Sequence, residues 1–253
     1  MNTRHQARDL IRRTVPWSLR RVVHQARGRL PWPPAGVVRF GDLRRPTPIG
    51  PVWAAERGTA VDRYCIESFL DEHRPDVRGR VLEVGDDAHT RRFGGDRVTQ
   101  RDVLHIDPDE PGITFVGDLA DGSFLPSATF DCIILTQTLH LILDFGAALD
   151  TLHRILRPGG VLLLTVPGIT PVDPNEWSTT WFYSFSEHAL ERLCERHFDA
   201  DEVEVRSCGN ALTAVAFLHN LSVEEFDQRE LDKHVPSHSI VNVARIRRRP
   251  AQA

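Results

Sequence analysis

Between Thr59 and Arg247 the apolar positions alternate between the 3.6-residue period of helices and the short apolar runs of strands. Val61, Cys65 and Phe69, with Ile66 and Leu70, fall on one helical face, and Thr59 with Asp62 three residues on has the form of a capping box. "RVLEVG" predicts a first strand, "DRVTQRDVLHID" contains a second and "ITFVGD" a third. "FDCIILT" reads as an apolar run, expected of a central parallel strand covered on both faces. "FGAALDTLHRIL" returns to the helical period through Phe145, Leu149, Leu152 and Leu156, with Pro158-Gly159-Gly160 as its stop. "VLLLTVP" predicts strand five. Ser186 caps a helix carrying Leu190, Leu193 and Cys194, and "EVEVRS" and "HSIVNVARIR" close the sheet as strands six and seven. Strands separated by helix-length segments predict an α/β fold with a doubly wound, mostly parallel sheet. Ligands of such sheets sit beyond the carboxyl ends of the strands, at the switch point near strand one.

Charge divides the chain. Residues 1–45 hold eleven arginines against Asp9 and Asp42, a net +9, whereas the remaining 20 basic and 33 acidic residues sum to −13. We read a basic, proline-containing N-terminal extension over 1–45 and one folded domain over 46–253. Residues 1–30 suit one or two short basic helices. "LPWPPAG" and "RRPTPIGP" suit an extended linker or wrapping arm, because proline fixes φ and removes a donor. Cys65, Cys132, Cys194 and Cys208 are scattered without metal-ligand spacing, so no metal site and reduced thiols are expected. The first residues lack the apolar core of a signal peptide, and no stretch has the length of a membrane span. A soluble, cytoplasmic protein is the expectation.

"VLEVGDDAHT" ends the first strand in Glu83 and Gly85, at the predicted ligand position. A dinucleotide site needs G-x-G-x-x-G there, so that the backbone can approach a pyrophosphate at a helix N-terminus. This turn has one glycine and adds Asp86 and Asp87, which repel a pyrophosphate. The pattern argues against NAD or FAD and favours a ligand carrying positive charge, such as S-adenosylmethionine.

"FDCIILTQTLHLILDFGAALDTLHRILRPGGVLLLTVPG" resembles the fourth and fifth motif region of class I S-adenosylmethionine-dependent methyltransferases. With "VDRYCIESFL", "GRVLEVGDDAHTRRFGG", "VGDLAD" and "TQTLH", the chain is similar over roughly 50–245 to a bacterial subgroup associated with glycan and glycosyltransferase pathways. The resemblance implies a seven-stranded Rossmann-like sheet with an antiparallel last strand, and S-adenosylmethionine as cofactor. It implies cofactor contacts from Glu83, Gly85 and Asp86, from Asp118 and Leu119, and from Thr136. Two acids compete for the ribose hydroxyls, Asp102 and Asp107; the resemblance prefers Asp102. Where many small-molecule methyltransferases carry a Glu-His pair, this chain has His140 and Leu141, leaving His140 as the candidate catalytic base. Trp177, Trp181 and Tyr183 are the candidate substrate-binding residues, with Phe182, Asp173 and Glu176 beside them.

The reading is then an S-adenosylmethionine-dependent methyltransferase acting on a small molecule, through O-methylation of a sugar, glycoconjugate or secondary metabolite. "LTQT" in place of an N-P-P-Y-type motif argues against N-methylation of a nucleic-acid base, and no nucleic-acid partner is expected. Two rivals stand beside this reading: a catalytically silent partner of the same fold, and an RNA methyltransferase using the basic arm. The sequence permits a homodimer.

Overall fold

The computed structural model describes residues 37–54, 56–175, 177–198 and 203–250, with Pro16 and Pro33 besides. The chain divides into two compact units, Met1–Pro46 and Thr47–Ala253. The described part of the first holds one 3-10 turn, Gly41–Leu43. The basic helices expected over 1–30 and most of "LPWPPAG" lie outside the described residues.

The second unit carries a seven-stranded sheet: β1 (Gly79–Val84), β2 (Val98–His105), β3 (Phe115–Val116), β4 (Phe130–Thr136), β5 (Leu156–Pro167), β6 (Val203–Cys208) and β7 (Val241–Arg247). The spatial order is β3-β2-β1-β4-β5-β7-β6. Neighbours from β3 through β5 run parallel, while β7 lies antiparallel between β5 and β6. The helices are α1 (Val61–Glu72), α2 (Phe145–Ile155), α3 (Glu187–His197), α4 (Ala211–Leu218) and α5 (Gln228–Asp232). This is the expected Rossmann-like arrangement with an antiparallel last strand. No helix among the described residues is long and apolar enough to cross a membrane.

Period-2 alternation sends neighbouring strand residues to opposite cores. Leu82, Ile133, Leu135 and Leu162 pack under α2 and α3, whereas Val81, Cys132, Ile134 and Leu163 pack under α1 and α4. Both faces are covered, which is why the central strands read as apolar runs. Asp144 caps α2 by accepting the Ala147 N–H, and Ser186 caps α3 through the Ala189 N–H.

Three local expectations change. Ala60, not Thr59, is the N-cap of α1; the Thr59 hydroxyl donates instead to the Glu224 carboxylate (2.9 Å), tying the chain before α1 to the turn after α4. Helix α2 stops at Ile155, and Pro158-Gly159-Gly160 lies inside β5, where the pairing with β4 shifts register and Gly159 takes φ +83°. Cys65 of α1 and Cys208 of β6 form a disulfide, where reduced thiols were expected. The other two thiols are buried and inert, Cys194 pushed up by burial to about 12. Because the disulfide closes a loop across 143 positions, reduction should destabilise the fold by about 2–4 kcal/mol. Urea melts with and without dithiothreitol measure this; coincident midpoints would show that the bond contributes nothing.

Candidate functional site

Strand β1 pairs with β2 on one side and β4 on the other, so connections leave its carboxyl end in opposite directions. That switch point opens a cleft of ≈ 660 Å³, within the range of about 300–1,000 Å³ usual for small-molecule sites. Its two halves differ in chemistry. The half formed by α1 and the ends of β1, β2 and β3 carries Asp62, Arg63, Glu83, Asp86, His89 and Asp118. Among the described residues, the half formed by the ends of β4, β5 and β7 carries no Asp, Glu, Lys or Arg; its larger side chains include Trp53, His140, Trp177, Trp181 and Phe217.

On the charged half, Glu83 explains how a turn so poor in glycine keeps its shape. Its buried carboxylate accepts the backbone N–H groups of His89 (3.2 Å) and Thr90 (2.8 Å) and the Nδ1 of His89 (2.7 Å). Arg63 only donates, and its Nη1 lies 3.3 Å from Nε2 of the same ring. That nitrogen therefore accepts, and Nδ1 carries the proton toward Glu83. Asp86 adds a turn of its own, accepting the Ala88 N–H at 2.8 Å. Gly85 has φ +103°, and a Cβ there would meet nothing within 4 Å, so bare backbone faces the cleft. Burial pushes the Asp62 carboxyl above its ordinary range, partly opposed by the Arg63 N–H it accepts.

Glu83, Gly85, Asp86, Asp118, Leu119, Thr136, His140, Trp177 and Trp181 are all brought to this cleft. Asp102 is not. It lies opposite Leu82 within the sheet, 1% exposed, and binds Arg80 Nε (2.7 Å), Arg80 Nη2 (3.3 Å) and Gln100 Nε2 (3.2 Å). The residues that reach the cleft from the end of β2 are Leu104, His105 and Ile106, with Asp107 next in the chain. Tyr183 is not at the cleft either: its hydroxyl donates to the Leu143 carbonyl (2.9 Å), and its ring packs on Phe145 and Phe185. Phe182 and Asp173 lie off the wall, and Glu176 is outside the described residues.

On the uncharged half, His140 is 1% exposed, and burial holds its imidazole down at about 4, hence neutral near pH 7. Neither ring nitrogen has a hydrogen-bond partner among the described residues; nor do Trp181 Nε1 and Thr180 Oγ1. Each such buried atom costs about 1–3 kcal/mol. Three wall residues were not visible in the sequence. Trp53 follows the proline-rich stretch that ends at Pro51, and no pattern marks it. Gln137 takes φ +46° at the end of β4, a conformation nothing in "LTQT" signals. Phe217 lies on α4, which the pattern reading missed although Asn210 and Thr213 form its capping box.

Residues 52–205 match the family described as methyltransferase domain. The chain belongs to that family. A curated relative, a probable polyketide synthase of Dictyostelium discoideum, is 34% identical over 73 residues; they make up 28% of this chain and 3% of the relative's length. Among solved structures, an S-adenosylmethionine-dependent methyltransferase of Mesorhizobium loti is 17% identical, covering 75% of this chain and 98% of its own, with a TM-score of 0.48. The N-methyltransferase NodS of Bradyrhizobium japonicum, bound to S-adenosylhomocysteine, is 16% identical over 74% of this chain and 87% of its own (TM-score 0.47).

Proposed function

We propose that this methyltransferase uses S-adenosylmethionine to methylate a hydroxyl of a small molecule, a sugar, glycoconjugate or secondary metabolite. The observation that carries the reading is the division of one cleft, at the switch point of the sheet, into an acid-bearing half and an uncharged aromatic half. The charged half suits the cofactor. Its acids match a ligand with a sulfonium and an amino group, Arg63 matches a carboxylate, and the bare Gly85 backbone admits close approach. Asp62, Asp86 and Asp118 would hold the cationic parts, Leu119 the adenine, and the turn His105–Asp107 the ribose. When bound, this cofactor supplies a methyl group on a sulfonium, an electrophile for an acceptor oxygen.

The chain's own residues do the remaining work. Glu83 positions the turn 86–90 through the two N–H groups and the imidazole it binds. The neutral His140 imidazole can accept a hydrogen bond from the acceptor hydroxyl and orient its oxygen. It can also receive the proton, since an alkylated hydroxyl is a far stronger acid than an imidazolium. The aromatic wall excludes water, which would compete as acceptor.

Calorimetry with S-adenosylhomocysteine tests the cofactor assignment. Binding is expected, and Glu83→Ala should weaken it by about 1–3 kcal/mol, because one buried and one half-buried N–H lose their acceptor and the turn its anchor. A folded protein giving no heat at high micromolar ligand would overturn the reading.

A further inference from the structure

Stacked aromatic rings cover the uncharged half of the cleft. Trp181 lies against His140 with centroids 4.3 Å apart, Trp53 stacks on Trp181 at 5.8 Å and 14°, and Phe217 backs Trp53 at 5.8 Å. On this half of the cleft lie four of the eight buried side-chain polar atoms that have no partner among the described residues: both nitrogens of His140, Trp181 Nε1 and Thr180 Oγ1. Native folds leave few such atoms, and a group of them on the wall of one cleft points to a ligand that completes them.

The backbone gives an independent indication. Trp53 and Ala54 both adopt left-handed conformations, φ +57° and +56°, which residues with a Cβ disfavour. The segment is held on both sides. The Ile49 and Gly50 N–H groups donate to the His219 carbonyl (3.1 and 3.0 Å), Thr59 N–H donates to Glu224 (2.9 Å), and Arg57 pairs with Glu225. Strain held in place this firmly, at the residue that presents an indole to a cleft, is the signature of a functional position.

We infer that Trp53, Trp181 and Thr180 form, together with His140, the acceptor-recognition subsite, and that it takes a flat, uncharged ring system bearing one or two hydroxyl groups. The inference rests on the methyltransferase reading and narrows its substrate class. A sugar presents hydroxyls around its whole ring, and an apolar wall with three hydrogen-bonding side chains awaiting partners would leave most of them unpaired. Among the described residues a phosphorylated acceptor would meet no cation on this half, since Arg63 of the cleft wall stands beside His89 on the other. A flat ring can lie against the indoles while its hydroxyl reaches the imidazole.

The test is calorimetric titration of 2-naphthol into protein saturated with S-adenosylhomocysteine, with methyl β-glucopyranoside and 2-naphthyl phosphate as comparison probes. Naphthol should bind at least tenfold more tightly than either. Trp53→Ala should weaken naphthol at least tenfold and Thr180→Val about threefold, with S-adenosylhomocysteine affinity kept within twofold as proof of an intact fold. Trp53→Phe, which retains a ring, should fall between. Naphthol binding that is absent, unchanged in Trp53→Ala, or weaker than that of the glucoside or the phosphate overturns the inference alone. Failure of the wild type to bind S-adenosylhomocysteine overturns the methyltransferase reading and this inference with it.

Discussion

Asp102→Ala should destabilise the fold by about 2–4 kcal/mol and leave cofactor affinity within about twofold of the wild type. The carboxylate is 1% exposed and accepts hydrogen bonds from Arg80 and Gln100. Its removal leaves the Arg80 guanidinium, which also lies over the Phe130 ring at 5.3 Å, without its counter-charge. Arg80 is 29% exposed on its side chain, so water recovers part of the loss, and the lower part of the range for a broken buried pair applies. Asp107→Ala should behave in the opposite way, with stability nearly unchanged and affinity for S-adenosylhomocysteine reduced. Urea melts and calorimetry on both variants decide the matter. Cofactor binding lost in a folded Asp102→Ala protein, with Asp107→Ala silent, would return the ribose contact to Asp102.

The two acids illustrate what a linear pattern can and cannot locate. The strands were legible because burial on both faces demands apolar runs, and "FDCIILT" maps onto β4 without a shift. Glu83 and Gly85 were legible because a strand's end is marked by the turn that follows it. The resemblance prefers Asp102 because it counts residues along a chain, whereas the lining of the cleft depends on where β2 ends. That end is set by pairing, with Val84 opposite Leu104, and it falls at His105. Trp53 could not be read at all. Its place depends on hydrogen bonds to residues 219–225, more than 160 positions away, and on a backbone conformation for which tryptophan has no propensity. The same holds for the disulfide: scattered cysteines carry no spacing signal, and only the packing of α1 beside β6 brings Cys65 and Cys208 together.

His140→Phe should make the protein more stable and less able to bind its acceptor, an opposition that a purely structural histidine would not produce. In the unfolded chain the imidazole titrates near its ordinary 6.5; in the fold burial lowers this to about 4. Between those values the unfolded state binds a proton that the native state refuses. Stability therefore falls as pH drops from about 6.5 to 4, by up to about 3 kcal/mol, and is indifferent to this group above 6.5. Phenylalanine removes that slope and also the two buried nitrogens left without partners. The variant should gain about 1–3 kcal/mol at pH 7.5, and the gain should widen at pH 5. His140→Leu, smaller at the ring position, guards against a misfit of the larger side chain against Trp181. Both variants should retain S-adenosylhomocysteine affinity and lose 2-naphthol affinity at least tenfold. Urea melts at pH 7.5, 6 and 5 supply the first half of the comparison, and titration of the cofactor-loaded protein the second. Equal stability slopes in wild type and both variants would show that His140 is not the group refusing the proton. Undiminished naphthol binding would remove the imidazole from the acceptor site.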